Sequence, residues 1–403
     1  MDILVVFHSN YDVTFFRNTF KDHLLSFSRH ADAKVYYFNA FMKESNYLKR
    51  QSFDLLIYHY SFLAQKWSCN GALLKYDWLK SIKGRRVAIA QDEYINSIEV
   101  NQFLQHHDVK VLFSCCDRLQ DIELIYPKHL NNLEKVVSVL PGYIETKNLK
   151  PLNQLKKHYN RTVDIFYRAR NNSMALGKLS LRKSRIAKEF LSLQLSHLNV
   201  NISLDPKDTI IGEQWFLALE NARVVLGVEG GASVFDPDGS LKLRVEEYMK
   251  NNPEVSYNEL NKNVLKEHEG VLDYKTISPR SFEAIMTNTC QVLYEGTYSN
   301  ALIPNKHYIQ LDKNFSNIEN VLSLIENQEY CEKIATNAYR DILGKNAYTY
   351  KNFVNIVLSN GLKKQKKLKH NNLRFRLKCQ SLFHLFVFAQ IIKIIRKYIY
   401  KSH

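Results

Sequence analysis

Four places in this 403-residue chain carry charged groups at spacings that could do chemistry. The stretch "DIFYRARNNSMALGK" (164–178) puts Arg168, Arg170 and Lys178 directly after an apolar, β-branched run. Three cations beyond the carboxyl end of a strand could neutralise a departing diphosphate, the electrostatic work of phosphoryl or glycosyl transfer. A solvated basic loop has the same composition. In "TISPRSFEA" (276–284), Ser278 suits a helix N-cap and Pro279 the first helical position. The free amides of such an end favour an anion, and Arg280 adds a fork of donors matched to phosphate. Glu283 shares its helix face and could accept from sugar hydroxyls; equally, the two could pair with each other on a surface. In "VVLGVEGGASVFDPDGS" (224–240), Glu229 stands between Gly227 and Gly230–Gly231. Glycine permits positive φ or close approach to the backbone, so this is either a tight turn or a loop shaped around a ligand. Asp92 and Glu93, straight after "RVAIA", could supply a general base for an acceptor hydroxyl, or open a helix as an acidic pair.

Other chemistries lack their signatures. No GxGxxG follows a strand and no GxxxxGK[ST] occurs, so nicotinamide-type and P-loop fingerprints are absent. Asp236-Pro237-Asp238-Gly239 has the form of an Asp-x-Asp metal site, but Pro in second place and Gly in fourth favour a turn. Cys69, Cys115, Cys116, Cys290, Cys331 and Cys379 show neither metal-ligand spacing nor a dense disulfide framework. No cofactor and no bound metal are expected.

The elements that must position these groups are short apolar runs alternating with helix-length segments. One series is 3–7, 53–59, 86–90, 109–114 and 136–140; a second is 163–167, 200–204, 223–228, 291–294 and 307–311. This alternation predicts two doubly wound, Rossmann-like α/β domains facing a cleft, with ligands beyond the carboxyl ends of the strands. The domains are 1–144 and 163–345, joined by a polar linker, 145–162, and followed by a closing helix, 346–360. Helices are expected over 178–195, 329–343 and 347–359, and capping boxes at Ser256–Glu259 and Ser316–Glu319 open two more.

Of the net charge of +16, twelve basic residues and no acid lie in 361–403. The remainder is near neutral, which argues against a nucleic-acid groove spread over the fold. The tail joins a basic run to an apolar one, Leu382 to Ile395, and reads as an amphipathic helix for an anionic membrane surface, or as a helix docked on the protein's own body. The start "MDILVVFHSN" is strand-like and lacks the basic region and long apolar stretch of a signal peptide. The expected location is the cytoplasm, at the inner face of the plasma membrane.

Taken together, Tyr167 to Arg170, Leu226 to Asp236, Ile277 to Ala284, Glu295 to Ser299 and His307 to Ile309 resemble a family of bacterial GT-B glycosyltransferases that build surface polysaccharides such as capsule and O-antigen. The first domain adds only Gln91 to Tyr94. The resemblance implies a nucleotide-sugar donor in the second domain and a glycan or lipid-linked acceptor at the first. It implies that Arg168 or Arg170 contacts the diphosphate, that Glu283 grips the ribose or sugar, and that Glu229 accepts from a donor hydroxyl. Gly230, Gly231, Ser233 and Glu295 would also lie at the donor. Two positions depart from the pattern: Lys275 stands eight before Glu283, where retaining relatives often have a glutamate, and Gly230 replaces a usual serine. A glycosyltransferase is the expected function. A sugar epimerase or polyol-phosphate transferase of the same fold, a non-catalytic nucleotide-sugar sensor and an inert membrane scaffold are the alternatives.

Overall fold

β1 (Asp2–Phe7) is buried along its whole length, which requires cover on both faces of its sheet. The computed structural model, which describes residues 1–9, 17–42, 44–67 and 71–362, supplies that cover. β1 lies between β2 (Lys34–Asn39) and β3 (Ser52–Tyr58), and β4 (Lys83–Ile89), β5 (Val109–Ser114) and β6 (Lys135–Ser138) follow. The sheet order is β2-β1-β3-β4-β5-β6, with every pair parallel. α1 (Asn18–His30), the short α2 (Tyr60–Leu63), α3 (Ser97–His106) and α4 (Leu119–Ile125) make the connections. β2, an edge strand that is only partly buried, escaped the sequence reading because its core is an aromatic run, Tyr36-Tyr37-Phe38, rather than a β-branched one.

The second domain runs through β7 (Val163–Arg168), α5 (Arg182–Ser192), β8 (Val200–Ser203), α6 (Glu213–Asn221) and β9 (Ala222–Gly227). An excursion then forms β10 (Gly230–Val234), α7 (Ser240–Asn251), α8 (Tyr257–Leu260) and β11 (Glu269–Thr276). The chain returns through α9 (Pro279–Met286), β12 (Cys290–Tyr294), β13 (Ile309–Leu311), α10 (Ile318–Glu326) and α11 (Gln328–Leu343). The second parallel sheet has the order β13-β12-β9-β7-β8. The ten anticipated strands are present, and so are the two doubly wound domains.

Three features tie the domains together. The linker is not loose: Glu145 is buried beside Arg29 at 2.9 Å and His30 at 3.3 Å. Arg161 donates to the carbonyls of Ala222 and Thr287 at 2.8 and 2.9 Å. Next, α12 (Tyr350–Gly361) crosses back and seats Tyr350, Phe353, Val354 and Val357 in the first domain's core. Its start is fixed by Tyr350 N–H donating to the Ile144 carbonyl at 3.1 Å. Last, the antiparallel β10–β11 hairpin, which the sequence reading did not anticipate, adds Ala232, Leu272 and Tyr274 to that same core.

Of the two anticipated capping boxes, one forms. Ser256 accepts from Glu259 N–H at 3.3 Å, as its capping box requires. Ser316 does not cap: α10 starts at Ile318 after Asn317, and the Ser316 hydroxyl donates to Asp312 instead. Asp236 accepts from the backbone of Leu241 and Lys242, and Asp238 from Ser240, so this stretch is the turn that opens α7. The basic amphipathic tail lies outside the described residues; among those described, no helix is long and apolar enough to cross a membrane.

Candidate functional site

β7 and β9 end at the same level, and their carboxyl ends open into a cleft of about 380 Å³. Tyr167 to Arg170 form one wall and Leu226 to Val228 the floor beside it. The N-terminus of α9 lines the cleft through Ser278 to Ser281: Pro279 has no N–H, and the Arg280 and Ser281 amides donate to the Ser278 hydroxyl and carbonyl at 3.4 and 2.9 Å, so this end offers the positive pole of the helix dipole rather than a set of free amides. A third wall is the segment Asp205 to Gly212 with Trp215 of α6. The first domain closes the rim with Arg17, Asn18 and Thr19 at the start of α1. Across this rim Asn18 Nδ2 donates to the Gly212 carbonyl at 3.2 Å.

Among the described residues, Arg168, Arg170 and Arg280 are held by contacts other than ion pairs. Arg280 donates to the Arg168 carbonyl and lies over the Trp215 ring at 5.1 Å. Arg168 lies over Phe166 at 4.9 Å and donates to Asn201 Oδ1 at 2.6 Å. Arg170 is exposed, with one contact to Thr209 Oγ1 at 3.3 Å. Lys183, in the first turn of α5, also lines the cleft; burial lowers its pKa, Asp92 raises it and Arg280 lowers it. With Arg17 on the rim, the geometry gathers five basic residues and a helix terminus, an arrangement suited to a polyanion.

Glu283 lies deeper and is 9% exposed. Its Oε2 accepts from Trp215 Nε1 at 2.7 Å. Burial raises its pKa, while that hydrogen bond and nearby Arg280 pull the other way. Glu283 therefore does not form the surface pair with Arg280 that spacing allowed: the indole is its hydrogen-bonding partner, and the arginine reaches for a carbonyl.

The other anticipated residues sit elsewhere. Gly230 and Gly231 belong to β10. Gly231 has φ +136, and a Cβ there would stand 1.8 Å from the Tyr274 carbonyl oxygen. Gly231 thus admits a neighbouring strand, while a Cβ at Gly230 would meet Thr276 at an ordinary 3.8 Å; neither lines the cleft, which corrects the expectation of a ligand contact at both. Glu229 is buried and accepts from Thr297 N–H, Tyr298 N–H and Thr297 Oγ1 at 2.8–3.1 Å, so it braces the turn after β12. Ser233 accepts from Leu179 N–H at 3.1 Å, Lys178 is exposed with its backbone N–H on Glu269, and Glu295 faces Lys313 at 3.6 Å. None of these lines the cleft.

In the first domain the neighbours Asp92 and Glu93 diverge. Glu93 is 1% exposed and accepts from Ser114 Oγ, Cys115 N–H, Tyr126 OH and Tyr274 OH at 2.6–3.0 Å. With four donors it is a structural junction between the domains and has no capacity left for a proton-transfer role. Asp92 is exposed and takes one hydrogen bond from Tyr94 OH at 2.9 Å.

Sequence reasoning missed Lys183, Trp215 and the rim residues of α1. Lys183 could have been found as the basic start "RKSR" of the helix following β7. Trp215 gave no signal beyond being an aromatic residue in a helix.

No protein-family model matches the chain, and no curated protein is similar enough to count as a match. Solved structures do match. Phage T4 β-glucosyltransferase has 14% identity and a TM-score of 0.52, covering 90% of this chain and 100% of that one. The same T4 enzyme solved with UDP and Mn²⁺ has a TM-score of 0.52 at 14% identity, over 89% of this chain and 99% of that one. An α-glucosyltransferase solved with UDP and a 13-mer DNA has 12% identity and a TM-score of 0.50, over 89% and 98%. The chain has the two-domain α/β fold of these GT-B glycosyltransferases.

Proposed function

We propose that this chain transfers a sugar from a nucleoside-diphosphate donor to a hydroxyl acceptor. The observation that carries the reading is the convergence of Arg168, Arg170, Lys183 and Arg280 on the N-terminus of α9, with the buried Glu283 carboxyl beyond them. The diphosphate takes the basic rim, where fixed cations and the positive end of the α9 dipole stabilise the negative charge that grows as it departs. Glu283 accepts from ribose or sugar hydroxyls further in. The acceptor lies on the first domain's side, and Asp92 takes its proton as general base. Glu93 has no part in the chemistry.

The fold likeness to glucosyltransferases solved with UDP supports this reading. The acceptor is a glycan or a lipid-linked saccharide of surface-polysaccharide synthesis, not a nucleic acid, since the basic charge lies in 361–403 rather than over the body. The chemistry proceeds with the diphosphate held by basic side chains, so UDP-sugar turnover should persist in excess EDTA; abolition by EDTA with restoration by Mn²⁺ would reject that part.

A thermal-shift panel of nucleoside diphosphates and their sugars tests the donor site. Ligand at a hundred times its dissociation constant raises stability by ~2.7 kcal/mol. A flat response across the panel would reject the proposal.

A further inference from the structure

The backbone at Asp92 is turned by a side chain that no motif announces. Asp92 has φ +51, in the left-handed region that glycine adopts freely and aspartate only tolerates. Such a conformation persists where its surroundings over-determine it. Two contacts do so. Lys66 Nζ donates to the Asp92 carbonyl at 2.7 Å, and the Tyr94 hydroxyl donates to the carboxylate at 2.9 Å. Lys66 is 3% exposed, and its own carbonyl is gripped by Asn96 Nδ2 at 2.6 Å.

A buried ammonium carries a desolvation penalty, and burial pulls the Lys66 pKa down to about 8 against the opposing charges of Asp92, Glu93 and Glu99. Glu93 does not need it, because its oxygens already hold four donors. Among the described residues, the hydrogen bond that the Lys66 amine makes goes to the Asp92 carbonyl. The consequence is that successive residues point in opposite senses. Glu93 enters the core, and Asp92 is exposed, close enough to Lys183 on the donor cleft to raise its proton affinity.

Resting on the reading of Asp92 as the general base, we infer that Lys66 is a positioning residue: by holding the Asp92 carbonyl it keeps the peptide left-handed and the carboxylate directed between the domains, with Tyr94 fixing the rotamer. Base catalysis depends on placement, and a misplacement of about 1 Å costs roughly a hundredfold in rate.

The test compares wild type with K66M, K66R and Y94F in the full chain, using calorimetric UDP binding, UDP release from UDP-glucose, and crystal structures. K66M should lower kcat for UDP release by about tenfold or more while leaving the UDP dissociation constant within about twofold. K66R, which keeps a donor, should recover part of the rate. In the K66M crystal structure Asp92 should leave the left-handed region. Retention of that conformation, or an unchanged kcat in folded K66M, overturns the inference. If K66M does not fold, Y94F, which removes only a hydroxyl, should show the same split between kcat and UDP affinity, and an unchanged kcat there overturns it. If wild type binds UDP but releases none from UDP-glucose, the general-base reading fails, and the role of Lys66 is decided by the Asp92 conformation alone.

Discussion

Arg280 and Glu283 show how one helical turn divides its labour. Arg280 is exposed at the mouth of the cleft, braced by the Arg168 carbonyl and the Trp215 face. A hydrogen bond to a charged group contributes about 1.5–3 kcal/mol. Arg280→Ala and Arg170→Ala should therefore each weaken nucleoside-diphosphate binding at least about tenfold; unchanged calorimetric affinity in both would remove the diphosphate from this cleft. Glu283 behaves differently because it is buried. Its folded-state pKa is raised, so the folded chain binds this proton more tightly than the unfolded chain does. That contribution is fully present below the ordinary carboxyl pKa of 4.5 and is lost as pH rises through the raised value. Glu283→Gln removes the ionisation and keeps an acceptor for Trp215. Its melting temperature should gain on wild type as pH rises from 4.5 towards neutrality, while sugar transfer falls. A variant that keeps full activity and loses stability at neutral pH would mean that the carboxylate serves the fold alone.

The β10–β11 hairpin is the element whose meaning changed most between sequence and structure. "VEGGASVF" combines a carboxylate with glycines, which is how a ligand loop reads. Gly231 instead lets β11 approach, and the hairpin's apolar side joins the first domain's core. Nothing local in the sequence could say so, because β11 lies some forty residues later and the pairing is antiparallel inside a parallel α/β pattern. Central parallel strands such as β1, β5 and β9 were legible because they are buried runs rich in β-branched residues; the α9 start was legible because its Ser-Pro cap is local chemistry. Asp92 and Glu93 were legible as a pair but not in their roles, since which one is buried depends on Tyr126 and Tyr274. Gly231→Ala should destabilise the chain by on the order of 2–3 kcal/mol, through overpacking against the Tyr274 carbonyl. Tyr274→Phe should cost about 1.5–3 kcal/mol by removing one of the donors to Glu93. Denaturant melts read both, and a Gly231→Ala protein as stable as wild type with weakened donor binding would restore the ligand-loop reading.

At the scale of the whole chain, truncation separates the last described helix from the basic residues beyond it. α12 completes the first domain: Tyr350, Phe353, Val354 and Val357 are buried against β4, β5 and α1, and Arg85 Nε donates to the Gly361 carbonyl at 2.7 Å. A cut before Tyr350 would strip four buried apolar side chains from that core, at roughly 1.5–3 kcal/mol each, more than a marginally stable domain can lose. A cut after Leu362 removes none of these contacts and takes away all twelve basic residues of the tail. Near an anionic bilayer each Lys or Arg contributes about 1 kcal/mol of attraction, screened by salt. The chain ending at Leu362 should therefore melt with the full-length protein and bind UDP equally, but fail to float with anionic vesicles at low salt, where the full-length protein floats. Anchoring of this kind would confine the enzyme to the plane of a lipid-linked acceptor and raise its rate on vesicle-borne acceptor without changing donor hydrolysis. Equal flotation of the two proteins, or flotation of neither, would return the tail to the other reading its sequence allows, a helix docked on the body.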